Sequence, residues 1–292
     1  MAQAGLDVDQ PVVPDYAGPC VVNVVPALLE PAPEPPPWLP APAVDADRVV
    51  LLLVDGLGWH QLEERRHLAP TLSAMAGGSI RSVLPTTTAT ALTSIATGRT
   101  PGDHGIIGYR MSVDGDVLNV LRWSTRDGDA RSTLPPPKLQ TLPAFCGHRP
   151  PVITRAEFAN SGFTGAHLDG VRFRGWRMPS TLVTEVAGLT RAGEPFVYAY
   201  YDGVDKVSHE YGLGTHFDAE LAAADRLVAD LLSAVPSGTA VVVTADHGQV
   251  HTGTDVQFLD GDVLPDVRYP SVEGRVRWPQ ARLRRVAALG AA

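Results

Sequence analysis

The sequence predicts an α/β protein: a doubly wound, mostly parallel sheet with helices on both faces and a loop-rich cap insertion. Three observations carry this. Short runs rich in Val, Leu and aromatic residues, within 48–54, 196–201 and 239–244, lack polar alternation and read as strands buried on both faces. Stretches at helical spacing separate them. Each run then ends in a carboxylate or an imidazole, at the sheet edge where such folds hold their ligands.

In chain order, the first 47 residues form a Pro-rich arm, with Pro35-Pro36-Pro37 dense enough to exclude helix. The arm is expected to be extended, with Val21 to Leu29 its one apolar piece able to pack. A single domain follows over 48–292, of which 99–150 form the cap. The first strand runs into Asp55, and Gly56 and Gly58 turn the backbone there. Residues 59–67 and 70–76 read as helical, Pro70 suiting a first turn. A short strand is expected over 79–84. A helix over 88–97 follows, its start crowded with threonines and its end at Gly98. The cap holds a loop at Gly102–Gly108, a hairpin strand near Val117–Trp123 and a rigid connector at Pro135–Pro137; a segment this long and irregular is usually functional. Further strands are expected at 152–154, 196–201 and 239–244. Helices are expected at 181–192, 204–211 and 216–234, the last with Leu221, Ala224, Leu227, Val228 and Leu231 on one face.

Composition narrows the partners. The net charge of −8 does not suit a nucleic-acid polymer or an anionic membrane surface. Cys20 and Cys146 fit no metal or redox spacing and read as free thiols. No apolar run is long enough to span a membrane, and Met1 to Gln10 carry no signal-peptide pattern. A soluble cytoplasmic protein is the expectation.

The chemistry gathers at the strand ends: Asp55, then Asp202 and Asp205 with His209, then Asp246 and His247. Carboxylate and imidazole donors without thiolate suit a divalent ion such as Zn²⁺ or Mn²⁺. Each residue also has a purely structural reading. Asp55 caps a helix as readily as it binds an ion. Asp205 and His209, four apart, share a helix face, where such a pair taken alone is more often a surface contact than a metal grip. Thr88 either caps its helix or offers a hydroxyl at an anion-binding helix N-terminus. His104, in an Asp-His-Gly sequence that follows no strand, reads as loop structure. Tyr109, Trp123 and Phe158 read as packing ahead of base stacking.

Taken together, five motifs stand in order: Val54-Asp-Gly56; Leu84-Pro-Thr-Thr-Thr88 continuing to Ala96-Thr-Gly98; Pro101-Gly-Asp-His-Gly-Ile106; Asp205-Lys-Val-Ser-His209; and Thr244-Ala-Asp-His-Gly248. Over residues 48 to 278 the chain resembles the nucleotide pyrophosphatase/phosphodiesterase family of the alkaline phosphatase superfamily. The resemblance implies an alkaline phosphatase-like fold and a hydrolase of phosphodiester or pyrophosphate bonds with small, nucleotide-like substrates. It implies two divalent ions, Zn or Mn. Asp55, Asp246 and His247 match the ligands of the ion that also holds the nucleophile, Thr88. Asp205 and His209 match two ligands of the second. The implied reaction passes through a phosphothreonine on Thr88.

Two positions depart from the family pattern. Ala91 stands where an Asn commonly contacts phosphate, and Thr90 or a loop residue would have to substitute. No histidine stands in the expected place beyond His247. Around 272–278 there is Trp278 and no imidazole, which leaves His251 or His216 as substitute ligands. A truncated form of a longer parent is one reading of this end. The alternatives are therefore a phosphomonoesterase of the same superfamily, or a catalytically impaired relative that binds metal or phosphate.

Overall fold

The computed structural model describes residues 12–251, 253, 261–262, 265, 267–272 and 277–281, the last two stretches (Val267 aside) as backbone. Strand β1 (Arg48–Val54) sets the layering. Val49, Leu51 and Leu53 pack into one core, and Val50, Leu52 and Val54 into another on the opposite face. A strand alternates its side chains, so a continuous apolar run must be covered on both sides.

On the first face lie a 3-10 turn over Val21–Asn23 and helix α1 (Val24–Leu29). The arm is therefore helical here, where extended chain was expected. The proline run lies beyond α1, and Val21, Val22, Val24 and Val25 gain burial by coiling against the sheet. Helix α2 (Ala41–Val44) leads into β1. The second face receives α3 (Trp59–Glu64) and α4 (Pro70–Ala74), with Pro70 in the first turn as anticipated. No strand forms over 79–84; Arg81 makes a single parallel bridge to Cys20, and Ser82 donates its hydroxyl to Asp246 O.

Helix α5 (Thr88–Thr97) is sandwiched so fully that every residue from Ala89 to Thr97 is buried. Thr93 and Thr97 return their hydroxyls to the carbonyls of Ala89 and Thr93, both at 2.7 Å, and so satisfy buried polar groups. After α6 (Pro101–His104) the cap is a four-stranded antiparallel meander: β2 (Arg110–Val113), β3 (Asp116–Asn119), β4 (Ser124–Thr125) and β5 (Gly128–Asp129). Trp123 is fully buried, its indole N–H donating to Leu134 O at 2.8 Å, so it is a packing residue. Helix α7 (Pro136–Leu139) closes the cap.

The remaining elements are β6 (Pro151–Arg155), α8 (Gly162–His167), β7 (Arg172–Trp176), α9 (Pro179–Arg191), β8 (Phe196–Tyr201), α10 (Gly203–Tyr211), α11 (Thr215–Ala234) and β9 (Thr239–Thr244). The main sheet has the order β7-β6-β8-β1-β9, and every pairing in it is parallel. The expected doubly wound α/β architecture is present; α8 and β7 are additions to it. Strands β10 (Val267–Val272) and β11 (Arg277–Ala281) form a separate antiparallel pair. The expectation of a missing imidazole near Trp278 and the Arg282–Arg285 tail falls largely outside the described residues. No described helix is long and apolar enough to cross a membrane.

Candidate active site

The register of the three central strands assembles the site. Val54 of β1 lies beside Tyr201 of β8, and Leu53 beside Thr244 of β9. The next residues along each strand are therefore neighbours: Asp55, the Asp202–Asp205 turn and the Asp246–His247 turn. Asp55 N–H continues the ladder to Tyr201 O at 2.8 Å. Two glycines let the turns close. Gly56 has φ +73°, and a Cβ there would meet Gln249 Nε2 at 2.7 Å. A Cβ on Gly248 would meet the backbone of Gly58 at 2.9 Å, so this glycine serves the contact between two loops.

His247 Nε2 stands at the centre of the cluster. It lies 3.0 Å from Thr88 Oγ1, 3.4 Å from Asp55 Oδ1, 3.5 Å from Asp246 Oδ2 and 3.9 Å from Asp205 Oδ1. Its other ring nitrogen, Nδ1, is 3.0 Å from Gly248 O. A carbonyl only accepts, so Nδ1 carries the proton and Nε2 presents its lone pair to the cluster. The Thr88 hydroxyl then donates to Nε2. Among the described residues, Asp55, Asp205 and His247 have donor atoms all within 4.8 Å of one another, a spacing that suits a bound cation. Asp246 extends this group on one side. His209 extends it on the other, with Nε2 3.4 Å from Asp205 Oδ1.

Electrostatics separate the acids. Burial, then the charges of Asp246 and Asp205, push the Asp55 carboxyl well above its ordinary range. Burial also works against charge on Asp205, but the hydrogen bond from His209, joined by one from Gln249, outweighs it and holds Asp205 low. The Asp205 hydrogen bond in turn raises His209. Asp55 Oδ1 and Asp246 Oδ2 are buried and have no hydrogen-bond partner. Orphaned buried carboxylate oxygens are costly unless a cation satisfies them. The donor set is all oxygen and nitrogen, so these residues fit a divalent ion.

Thr88 opens α5. The preceding residue, Thr87, is extended (φ −149°, ψ 148°) and makes no side-chain cap bond. The hydroxyl of Thr86 is turned away to Val83 O at 2.7 Å. Both neighbouring threonines thus leave the helix start without a side-chain cap, the arrangement that accepts an anion. Thr90 and Ala91 are fully buried, and the Thr90 hydroxyl has no partner, so neither presents a donor to solvent.

Of the predicted residues, the structure brings together Asp55, Thr88, Asp205, His209, Asp246 and His247. It does not add His251 or His216 to the acids. His251 is exposed, its ring close to Gly212 at the end of α10, and His216 stacks on Tyr211 at 4.2 Å between ring centroids. Asp202 pairs with Lys206 (2.6 Å) and Arg155 (3.3 Å). His104 is buried against Ser94 (2.8 Å), a core contact more than a loop one. Sequence reasoning missed Tyr200, which donates to Asp55 Oδ2, and Gln249, whose amide donates to Asp205 Oδ1 at 2.7 Å. Tyr200 reads as one more core aromatic of β8. Gln249 directly follows the Asp-His-Gly turn, and that adjacency is its one signal in the sequence.

A parallel sheet with acids, an imidazole and a helix-start hydroxyl at its carboxyl edge suits phosphoester hydrolysis, and the family match makes the chain a phosphoester hydrolase. Residues 49–185 and 169–267 match the family of type I phosphodiesterases and nucleotide pyrophosphatases, and the chain belongs to that family. No curated protein matches it. Among solved structures it is similar to murine ectonucleotide pyrophosphatase/phosphodiesterase 5, known both alone and as an inactive threonine-to-alanine variant in complex with AMP. The identity is 15% and the TM-score 0.60, over 84% of this chain and 69% of that one. Phosphonoacetate hydrolase from Sinorhizobium meliloti 1021, in complex with phosphonoformate, is similar at 21% identity and TM-score 0.50, over 70% of this chain and 57% of that one. At these identities the likeness is one of fold.

Proposed function

We propose that the chain is a metal-dependent hydrolase of phosphodiester or pyrophosphate bonds in small, nucleotide-like substrates, acting through a phosphothreonine on Thr88. The observation that carries this is the Thr88 hydroxyl: it lies 3.0 Å from His247 Nε2, at an uncapped helix start, beside two orphaned carboxylate oxygens. Asp55, Asp246 and His247 would hold one divalent ion, and Asp205 and His209 a second. Bound ions of this kind neutralise phosphoryl charge and make a hydroxyl nucleophilic near neutral pH.

The residues themselves account for the rest. The free N–H groups at the start of α5 hold a non-bridging phosphate oxygen. Thr88 Oγ1 gives up its proton and bonds to phosphorus as the P–O bond to the leaving alcohol or nucleotide breaks, and the departing oxygen takes up a proton. Water then cleaves the threonyl ester and restores the hydroxyl. Fixed placement by a fully buried helix supplies orientation without reorganisation cost. The AMP carried by the murine enzyme's structure supports a nucleotide-like substrate.

The test is hydrolysis of bis(p-nitrophenyl) phosphate with Zn²⁺ or Mn²⁺ by wild type and Thr88→Ala, with mass spectrometry of the acid-quenched enzyme. Expected are loss of turnover in the variant and a phosphorylated Thr88 peptide in wild type. Equal rates would remove the nucleophile. A second reading, a catalytically impaired relative, is favoured by the exposure of His209, whose side chain is 72% accessible. One ion or none per chain, without turnover, would establish it.

A further inference from the structure

Tyr200 has no part in the reading so far, yet it is built into the acid cluster. It lies on β8, the strand beside β1, is buried, and its phenol donates to Asp55 Oδ2. A buried tyrosine hydroxyl usually finds a partner, so the contact alone says little. Its effect on Asp55 says more. A carboxylate has two equivalent oxygens and is free to rotate. With Oδ2 tied to Tyr200, Oδ1 is left unpartnered, 3.4 Å from His247 Nε2.

Asp246 shows the same division. Its Oδ1 accepts from the backbone N–H groups of Gly56 (3.1 Å) and His247 (2.9 Å), and its Oδ2 is left unpartnered, 3.5 Å from the same imidazole nitrogen. In Asp246 the backbone makes the division, which no side-chain substitution removes. In Asp55 a phenol makes it. We propose that Tyr200 is a positioning residue: its hydroxyl fixes the rotation of the Asp55 carboxylate so that Oδ1 alone faces the ion beside Thr88. This rests on the reading that Asp55, Asp246 and His247 hold a divalent ion. Partners that orient a ligand in this way commonly tune metal affinity.

The same strand supplies a control. Tyr201 faces the opposite side of the sheet, and its hydroxyl bonds Glu220 on α11. Tyr201→Phe removes one hydroxyl from the next residue without touching the acids.

The experiment titrates the metal-free full chain with Zn²⁺, and separately with Mn²⁺, against a chromogenic chelator, for wild type, Tyr200→Phe and Tyr201→Phe. Tyr200→Phe is expected to weaken the tightest site by roughly 10–100-fold. Tyr201→Phe should bind as wild type. Thermal unfolding and near-UV circular dichroism of the metal-free chains confine the comparison to folded protein. Unchanged affinity in Tyr200→Phe, or equal weakening in both variants, overturns the proposal. A wild-type chain that binds neither ion overturns the metal reading itself, and the positioning role with it.

Discussion

The two halves of the candidate site are built to different standards. Around Asp55 and Asp246 the acids are 2% and 0% exposed, each has one oxygen tied down and one left bare, and the ties come from a buried phenol and from backbone N–H groups. Around Asp205 and His209 the imidazole is largely in solvent, and the inward carboxylate oxygen already accepts from Gln249. The first half joins the end of β1, which is paired on both sides, to the end of the edge strand β9, where backbone N–H groups of Gly56 and His247 hold Asp246. The second rides on the first turns of α10, where His209 faces solvent. A ligand set shared with solvent and with the Gln249 amide would hold an ion less tightly than one whose free oxygens are buried.

The sharpest way to break this contrast is to remove one donor from each half. Asp246→Asn should lower kcat/KM by on the order of a thousandfold, the scale for losing a preorganised charged group in a closed site. Equal losses in Asp246→Asn and His209→Asn, measured at saturating Zn²⁺, would erase the distinction.

Acid stability separates the site from the rest of the core. Burial holds the His167 imidazole down at about 4, against 6.5 for the free side chain. The unfolded chain therefore takes up the proton first, and stability falls as pH drops from about 6.5 towards 4. The full effect is about 3 kcal/mol. His104, also held at about 4 by burial, adds to the same window. Denaturant unfolding of His167→Phe in the metal-free state should show a shallower loss over that interval. An unchanged slope would assign the acid sensitivity to groups other than His167, His104 among them.

His209→Asn should cost less than the buried acid, roughly 10–100-fold in kcat/KM, and higher Zn²⁺ should recover part of it. The smallest effect on the site is expected from the cap. A Cβ on Gly162 would meet Trp123 Cγ at 2.2 Å, so Gly162→Ala should destabilise by about 1–3 kcal/mol in thermal or urea unfolding. Metal affinity should not change, and a change would couple cap packing to the acids.

The parts legible in the sequence share one property: their signal is local. A run such as Val49 to Val54 is apolar because both faces are covered, and that can be read without knowing what covers them. Gly98 was legible as a helix end because αL geometry (φ 64°) favours glycine wherever it occurs. The cap was legible only in part: the hairpin strand expected near Val117–Trp123 is met by β3 over Asp116–Asn119, and the rest of the meander was not read. Its strands are two to four residues long, too short for a period to show. The arm misled for the opposite reason: its prolines are a strong local signal, but Val21 to Leu29 answer to the sheet they pack against.

By itself the sequence determined the buried strands, the helix that begins at Thr88, and the acids and imidazoles that stand at strand ends, since patterning and residue chemistry are written position by position. Only the tertiary structure decided which oxygen of each acid is free, that Tyr200 and Gln249 hold the others, and that His251 and His216 stand apart from the acids. Those facts depend on register between β1, β8 and β9 and on contacts between residues some 150 to 190 positions apart, such as Gly56 with Asp246. Distances of that kind exist only once the sheet has closed.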